Sequence, residues 1–176
     1  MQGKRLTKLI IGLLLIISNI SCDQITKKEV RDNIESNERI QVVKDNFILT
    51  KVENTGAALS FGSDFPPIIK LFIFQIMPIV VLFYLFYFLY KREDVSKTNF
   101  VAFTFFIGGG IGNIIDRILY NSVTDFMYLE VGSIHTGVFN MADVSVTIAA
   151  ILLAYSSLFS KRKIPLKPVY NDNYHK

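Results

Sequence analysis

Four apolar runs, each close to the length that crosses a lipid bilayer, limit what this chain can fold into more than any other feature. They cover residues 6–22, 67–90, 99–115 and 137–159, and a hydrocarbon core of about 30 Å takes about 20 helical residues to cross. Within lipid a segment must satisfy its own backbone polar groups, so each run is expected to be a helix. The first and third runs are the shortest, and their ends are the least defined. Composition agrees. With 51% apolar residues, 15 Phe and 8 Tyr in 176 residues, a water-soluble globule would leave much aromatic surface in water.

Basic residues set the expected orientation. Lys4, Arg5 and Lys8 precede the first run, and Lys91, Arg92 and Lys97 separate the second from the third. Lys161, Arg162, Lys163 and Lys167 follow the fourth. Four crossings bring all three clusters to one side, which the positive-inside rule makes cytoplasmic. Both termini are then inside, with one membrane domain over residues 1–163 and a polar cytoplasmic tail over 164–176. The net charge of +4 arises from these clusters. No basic stripe with interleaved aromatics exists outside the apolar runs, which argues against nucleic-acid binding.

The scarcity of Cys and His removes several chemistries. Cys22 is the only cysteine, so neither an internal disulfide nor a Cys-ligated metal cluster can form. His135 and His175 are too few for a zinc hydrolase, and no strand–turn–helix Ser motif accompanies them. Lys4-Arg5, an apolar stretch and Ser21-Cys22 imitate a secretory signal ending at a lipidated cysteine. Three later runs, and Asn19 three residues before the cysteine, favour an uncleaved span instead.

Two segments fall on the outer side. Residues 23–66 are long and mixed in charge. Ile40 and Val42 alternate with polar neighbours, residues 47–52 are rich in β-formers, and Asn54-Thr55-Gly56 reads as a turn. A small sheet is expected there, between spans one and two. Residues 117–136 read as a short connection from the third span to the fourth.

Ionisable residues at membrane depth are functional candidates. Asp116 lies at the outer end of span three. Asp143 lies six residues past the expected start of span four, about 9 Å deep at 1.5 Å per residue. Asp125 lies in the connection between them, free to fold back over the Asp143 helix. Two carboxylates in a poorly solvated site cannot both ionise easily, and such a pair can activate water and protonate a leaving amine. The plainer readings are an ion pair of Asp116 with Arg117 or another polar group, and a helix-dipole role for Asp143. Asn113 and Asn140 each precede an aspartate by three residues, which on a helix shares a face. On spacing alone, Asp116 pairs with Asp143. Gly108-Gly109-Gly110 with Gly112 reads as close helix packing, or as room for a substrate beside Asn113. The aromatics of span two (Phe72, Phe74, Phe83, Tyr84, Phe86, Tyr87, Phe88) read as a lipid-facing surface.

Five motifs in order then resemble the lipoprotein signal peptidases (signal peptidase II). They are Asp23-Gln24-Ile25-Thr26-Lys27, Asn54-Thr55-Gly56-Ala57-Ala58 and the run from Gly109 through Asn113 to Asp116-Arg117. Val123-Thr124-Asp125-Phe126 and Phe139-Asn140-Met141-Ala142-Asp143 complete the set. The resemblance implies a four-helix bundle with a small outer sheet. It also implies an aspartic endopeptidase of the bacterial cytoplasmic membrane, without metal or cofactor, active near the extracytoplasmic face. Its substrates would be diacylglyceryl-modified prolipoproteins, cut before the lipidated cysteine and presented in membrane lipid. Globomycin-type cyclic peptides would inhibit it. By resemblance the catalytic pair is Asp125 and Asp143. Asp23, Lys27, Asn54, Gly56, Gly109, Asn113, Asp116, Arg117, Asn140 and Ala142 support them or line the substrate pocket. Leu59 stands where the family usually has an aromatic, so the outer lid is expected to close differently. The alternative on the same acids is an ion- or proton-coupled transporter. Four spans without a visible repeat, and acids near one face, count against it.

Overall fold

The computed structural model describes residues 2–44 and 46–159. The expected tail and the basic cluster from Lys161 lie outside the described residues. Four helices are long and apolar enough to cross a membrane: Arg5–Asn33, Pro67–Lys91, Lys97–Tyr120 and Met141–Phe159. The first belongs to α1 (Gln2–Asn33). The second joins α2 (Pro67–Leu71), a π-helical turn (Phe72–Ile76) and α3 (Met77–Lys91). The third is α4 (Lys97–Tyr120) and the fourth α5 (Met141–Phe159).

Local chemistry sets these boundaries. Pro67 occupies the first turn of α2, where its missing N–H costs nothing. Pro78 would leave the carbonyl four residues back without a partner. A wide turn lies just before it, with the Met77 N–H reaching back five residues to Phe72 O. The Ser96 hydroxyl accepts the Asn99 N–H at 3.2 Å and starts α4. Asn121, left-handed at φ 58°, ends it.

Three span boundaries differ from expectation. α1 continues eleven residues beyond Cys22, because residues 23–33 contain neither Gly nor Pro to break the helix and Val30 packs into a second core. Hydropathy cannot register a helix that leaves lipid. α4 likewise runs past Ile115 to Tyr120, so Arg117 is helical and not part of the connection. α5 begins at Met141, four residues later than position 137.

α4 is the central helix, packed against α1, α3 and α5. Its glycines let the backbones approach. A Cβ on Gly109 would lie 2.5 Å from Ala142 O, and one on Gly112 would lie 2.5 Å from Asp23 Oδ2. The chain's own α5 and α1 therefore fill the space that was also read as room for a substrate. Ile16, Leu82, Leu89, Ile107 and Ile114 form the apolar core between the helices. Outside, Ile17, Val80, Phe83 and Ile151 are exposed, an apolar surface suited to lipid. Phe74 is an exception to the lipid-facing reading of span two: it is buried and stacked on Phe65. Phe88 is half-buried, edge-on to Phe103. The first two basic clusters share one end of the bundle, where Lys8 Nζ donates to Arg92 O at 2.7 Å.

The sheet is larger than expected. β1 (Arg39–Val43) and β2 (Phe47–Asn54) lie between the first two spans, as read from sequence. β3 (Val123–Val131) and β4 (Ile134–His135) come from the connection read as a plain link. The order is β1-β2-β3-β4, antiparallel throughout. Residues 123–131 are dense in β-branched and aromatic side chains, which favours a strand. Phe126 anchors that strand on Val30 and Ile34 at the end of α1.

Candidate active site

The extension of α1 past Cys22 carries Asp23 and Lys27 one turn apart against α4. Lys27, Asp23 and Asp116 are fully buried. Lys27 Nζ lies 2.9 Å from Asp23 Oδ2, 3.1 Å from Asp116 Oδ2 and 2.9 Å from Asn113 Oδ1, which engages all three ammonium donors. The remaining oxygens are also served. Ala142 N–H donates to Asp23 Oδ1 at 2.8 Å, and Thr124 N–H to Asp116 Oδ2 at 3.1 Å. Gln24 Nε2 donates to both carboxylates and to Gly112 O. Burying charge costs several kcal/mol per ion unless geometry and hydrogen bonds offset it, and each oxygen of both carboxylates has a donor here.

Asp116 therefore pairs across to α1, with Arg31 also 3.5 Å away, and not with its neighbour Arg117. Arg117 turns toward the sheet. It donates to Gly56 O at 2.9 Å and lies over the Phe74 ring, which ties the turn after β2 to α4.

β3 carries Asp125 opposite Val52, two residues from Asn54. Asp125 is 4% exposed. Its Oδ2 accepts from Asn54 Nδ2 at 3.0 Å and its Oδ1 from Asn140 Nδ2 at 2.6 Å. Burial pushes its carboxyl up to about 6, opposed by the Asn54 hydrogen bond and reinforced by the negative charge of Asp143. Asn54 is itself held, its Oδ1 accepting the Gly56 N–H at 2.9 Å in an Asx turn.

Asp143 is not buried deep in a span. It sits in the first turn of α5, in a reciprocal cap with Asn140. The Asp143 N–H donates to Asn140 Oδ1 at 3.0 Å, and the Asn140 N–H donates to Asp143 Oδ2 at 3.2 Å. Asn113 Nδ2 donates to Asp143 Oδ1 at 3.0 Å. The helix-dipole reading of Asp143 thus describes a real contact. Asn140 is the cap, so it does not share a helical face with Asp143. Its side chain spans the two acids, amide nitrogen on Asp125 and amide oxygen on the Asp143 backbone. Both aspartates line one cleft with Asn54, Ala57, Gly137 and Val146. Leu59 sits at the rim in a left-handed conformation (φ 55°), 83% exposed, its side chain against Gly137.

Known proteins match this arrangement closely. The family model for signal peptidase (SPase) II aligns with residues 15–159. The chain belongs to the signal peptidase II family. The lipoprotein signal peptidase of Pelodictyon phaeoclathratiforme is 35% identical over 159 residues, covering 83% of this chain and 88% of that protein. The Francisella tularensis subsp. novicida lipoprotein signal peptidase is 30% identical, covering 85% and 92%. A bacterial membrane enzyme solved in meso at 2.3 Å superposes with a TM-score of 0.78 at 28% identity, over 90% of this chain and 94% of its own. A second, solved at 1.9 Å, gives 0.75 at 27% identity, over 85% and 93%.

In this signal peptidase II family member the twelve residues singled out by resemblance form one connected group. Asp125 and Asp143 share the cleft; Asn54, Asn113 and Asn140 bond to them; Lys27, Asp23, Asp116 and Ala142 lie behind Asn113. Gly56 and Arg117 join the sheet to α4, and Gly109 seats α5. The pairing of Asp116 with Asp143 suggested by spacing does not occur. Gln24 and Thr124 had been given no role, although both lie within the quoted motifs. Extending α1 past Cys22 would have revealed Gln24, Lys27 and Arg31 on one face, at i, i+3 and i+7.

Proposed function

We propose that the chain removes signal peptides from diacylglyceryl-modified prolipoproteins by aspartic hydrolysis at Asp125 and Asp143, cutting before the lipidated cysteine. The observation that carries this reading is Asn140, hydrogen-bonded to a buried aspartate on β3 and to the aspartate it caps on α5, at one cleft. Family membership supports the substrate, since the matched relatives are lipoprotein signal peptidases.

The mechanism follows from the two environments. Asp125, whose burial favours the neutral form, holds the shared proton. Asp143, half-buried and open to the cleft, takes a proton from water as the water oxygen attacks the scissile carbonyl carbon. Asp125 donates to the carbonyl oxygen as negative charge grows there. Collapse of the tetrahedral species breaks the C–N bond as Asp143 passes the water's proton to the leaving amine and the carbonyl-oxygen proton returns to Asp125, so the signal peptide gains a carboxyl group and the lipidated cysteine a free amine. Apolar exteriors on α3 and α5 suit a substrate that keeps its acyl chains in lipid. In this reading the cleft faces the extracytoplasmic side of the bacterial cytoplasmic membrane. A globomycin-type cyclic peptide would compete for it.

Ion-coupled transport draws no support from the family match, and Asp23 and Asp116 are both engaged by Lys27. The test is cleavage of a lipidated prolipoprotein by purified protein. Asp125→Asn and Asp143→Asn are expected to abolish cleavage without loss of folding, and unlipidated substrate to remain uncut. Wild-type turnover by either variant would sink the assignment.

A further inference from the structure

We propose that a cavity at the opposite end of the bundle from the aspartates binds an anionic phospholipid, with the phosphate at Arg5, Lys8 and Arg92 and an acyl chain inside. The cavity, of about 280 Å³, opens between α1, α3 and α4. Its lining changes character with depth. Arg5, Lys8 and Arg92 stand at the mouth; Leu9, Leu13 and Leu89 line it further in, with Phe100 as a wall. A lipid has the same gradient, anionic at one end and apolar along the rest. Basic pockets between membrane helices are known sites for anionic headgroups.

The cations are available. Arg5 donates to Tyr90 O at 3.3 Å and stacks on the Tyr90 ring, and Lys8 donates to Arg92 O. Each of these uses one donor, and Arg carries five and Lys three. Among the described residues neither Arg5 nor Lys8 has a carboxylate within 4 Å, and the Arg92–Asp94 pair, 3.6 Å apart, is exposed. Glu93 also borders the mouth and opposes an anion there. Basic residues expected to set topology are thus also the polar end of a partly open apolar cavity.

The test uses the full chain in detergent micelles, with retained lipid read by native mass spectrometry. Dioleoyl phosphatidylglycerol is expected to be retained over dioleoyl phosphatidylcholine, and soluble sn-glycerol 3-phosphate not to displace it. The double variant Arg5→Gln/Lys8→Gln is expected to weaken retention about thirtyfold, from about one surface-cation contribution each. Glu93→Gln should tighten it. Because Arg5 and Lys8 also bond the last carbonyls of α3, Leu13→Trp provides a second arm. It keeps every charge, fills the cavity and is expected to lose the lipid. Lys28→Gln, at the other end of α1, is the control and should change nothing. Equal retention of the two lipids overturns the proposal, as does displacement by glycerol phosphate or unchanged retention in both mouth and cavity variants.

Discussion

Replacing Asp125 by Asn should remove a pH dependence of stability that runs opposite to ordinary acid denaturation. The folded carboxyl titrates at about 6 against an ordinary 3.8. Between those values the folded state binds more protons than the unfolded, so stability is fully present below about 4 and falls as pH rises through 6. A displacement of this size corresponds to about 3 kcal/mol. At 4% exposure, solvent screening does little to reduce it. Asparagine cannot titrate, but it can accept only one of the two amide donors that meet Asp125, a pH-independent loss of about 1 kcal/mol. The informative quantity is therefore the difference between wild type and variant across pH. Unfolding free energies in detergent micelles at several pH values from 4 to 8 would supply it. The wild-type advantage should shrink by about 3 kcal/mol over that range, mostly below pH 6. Adding Asp143→Asn should reduce the effect by removing one source of repulsion. Parallel curves for the two proteins, or an advantage that grows with pH, would refute the reasoning. Should it hold, the residue assigned to chemistry is one the fold would be steadier without at neutral pH.

Other outcomes follow from the same contacts. Lys27→Met leaves buried Asp23 without a cation and Asp116 with only Arg31, 3.5 Å away, and should cost about 3–5 kcal/mol in the same unfolding assay; adding Asp23→Asn and Asp116→Asn should recover most of it. Gly112→Ala presses a methyl group into Asp23 and should cost about 1–3 kcal/mol, whereas Gly3→Ala, with nothing within 4 Å, should be silent. Asn140→Ala removes the cap of α5, worth about 1 kcal/mol, and frees both aspartates. Cleavage should then fall about a hundredfold, the usual scale for a small misplacement of reacting groups. Cleavage rates should be unchanged by a strong chelator.

The membrane helices were legible because lipid imposes one rule on every residue of a span. That rule stops at the surface, and so did the reading. Asp23, Lys27, Asp116 and Arg117 lie on helices that continue beyond their apolar runs, and the burial of the first three depends on one another. Lys27 looks solvated in sequence and is fully enclosed in the fold. Asp143 reads as deep in sequence because its apolar run begins at Gly137; the Asn140 cap moves the helix start by a turn. β3 was missed although its composition favours a strand, because β3 pairs with a strand about 70 residues away. That distance also explains Asp125: its neighbours Asn54 and Asn140 come from different elements, and no local spacing joins them. The motif resemblance reached it where periodicity did not.

The Asp23–Lys27–Asp116 group also acts as a mechanical stop. Sliding α1 along α4 by even part of a turn would strip Lys27 of Asn113 and Asp116 at once, so these two helices move as one body. In a bilayer that thins or thickens, such a bundle answers by tilting as a whole. The cleft keeps its internal geometry while its depth changes, and prolipoprotein cleavage should therefore tolerate acyl chains of several lengths.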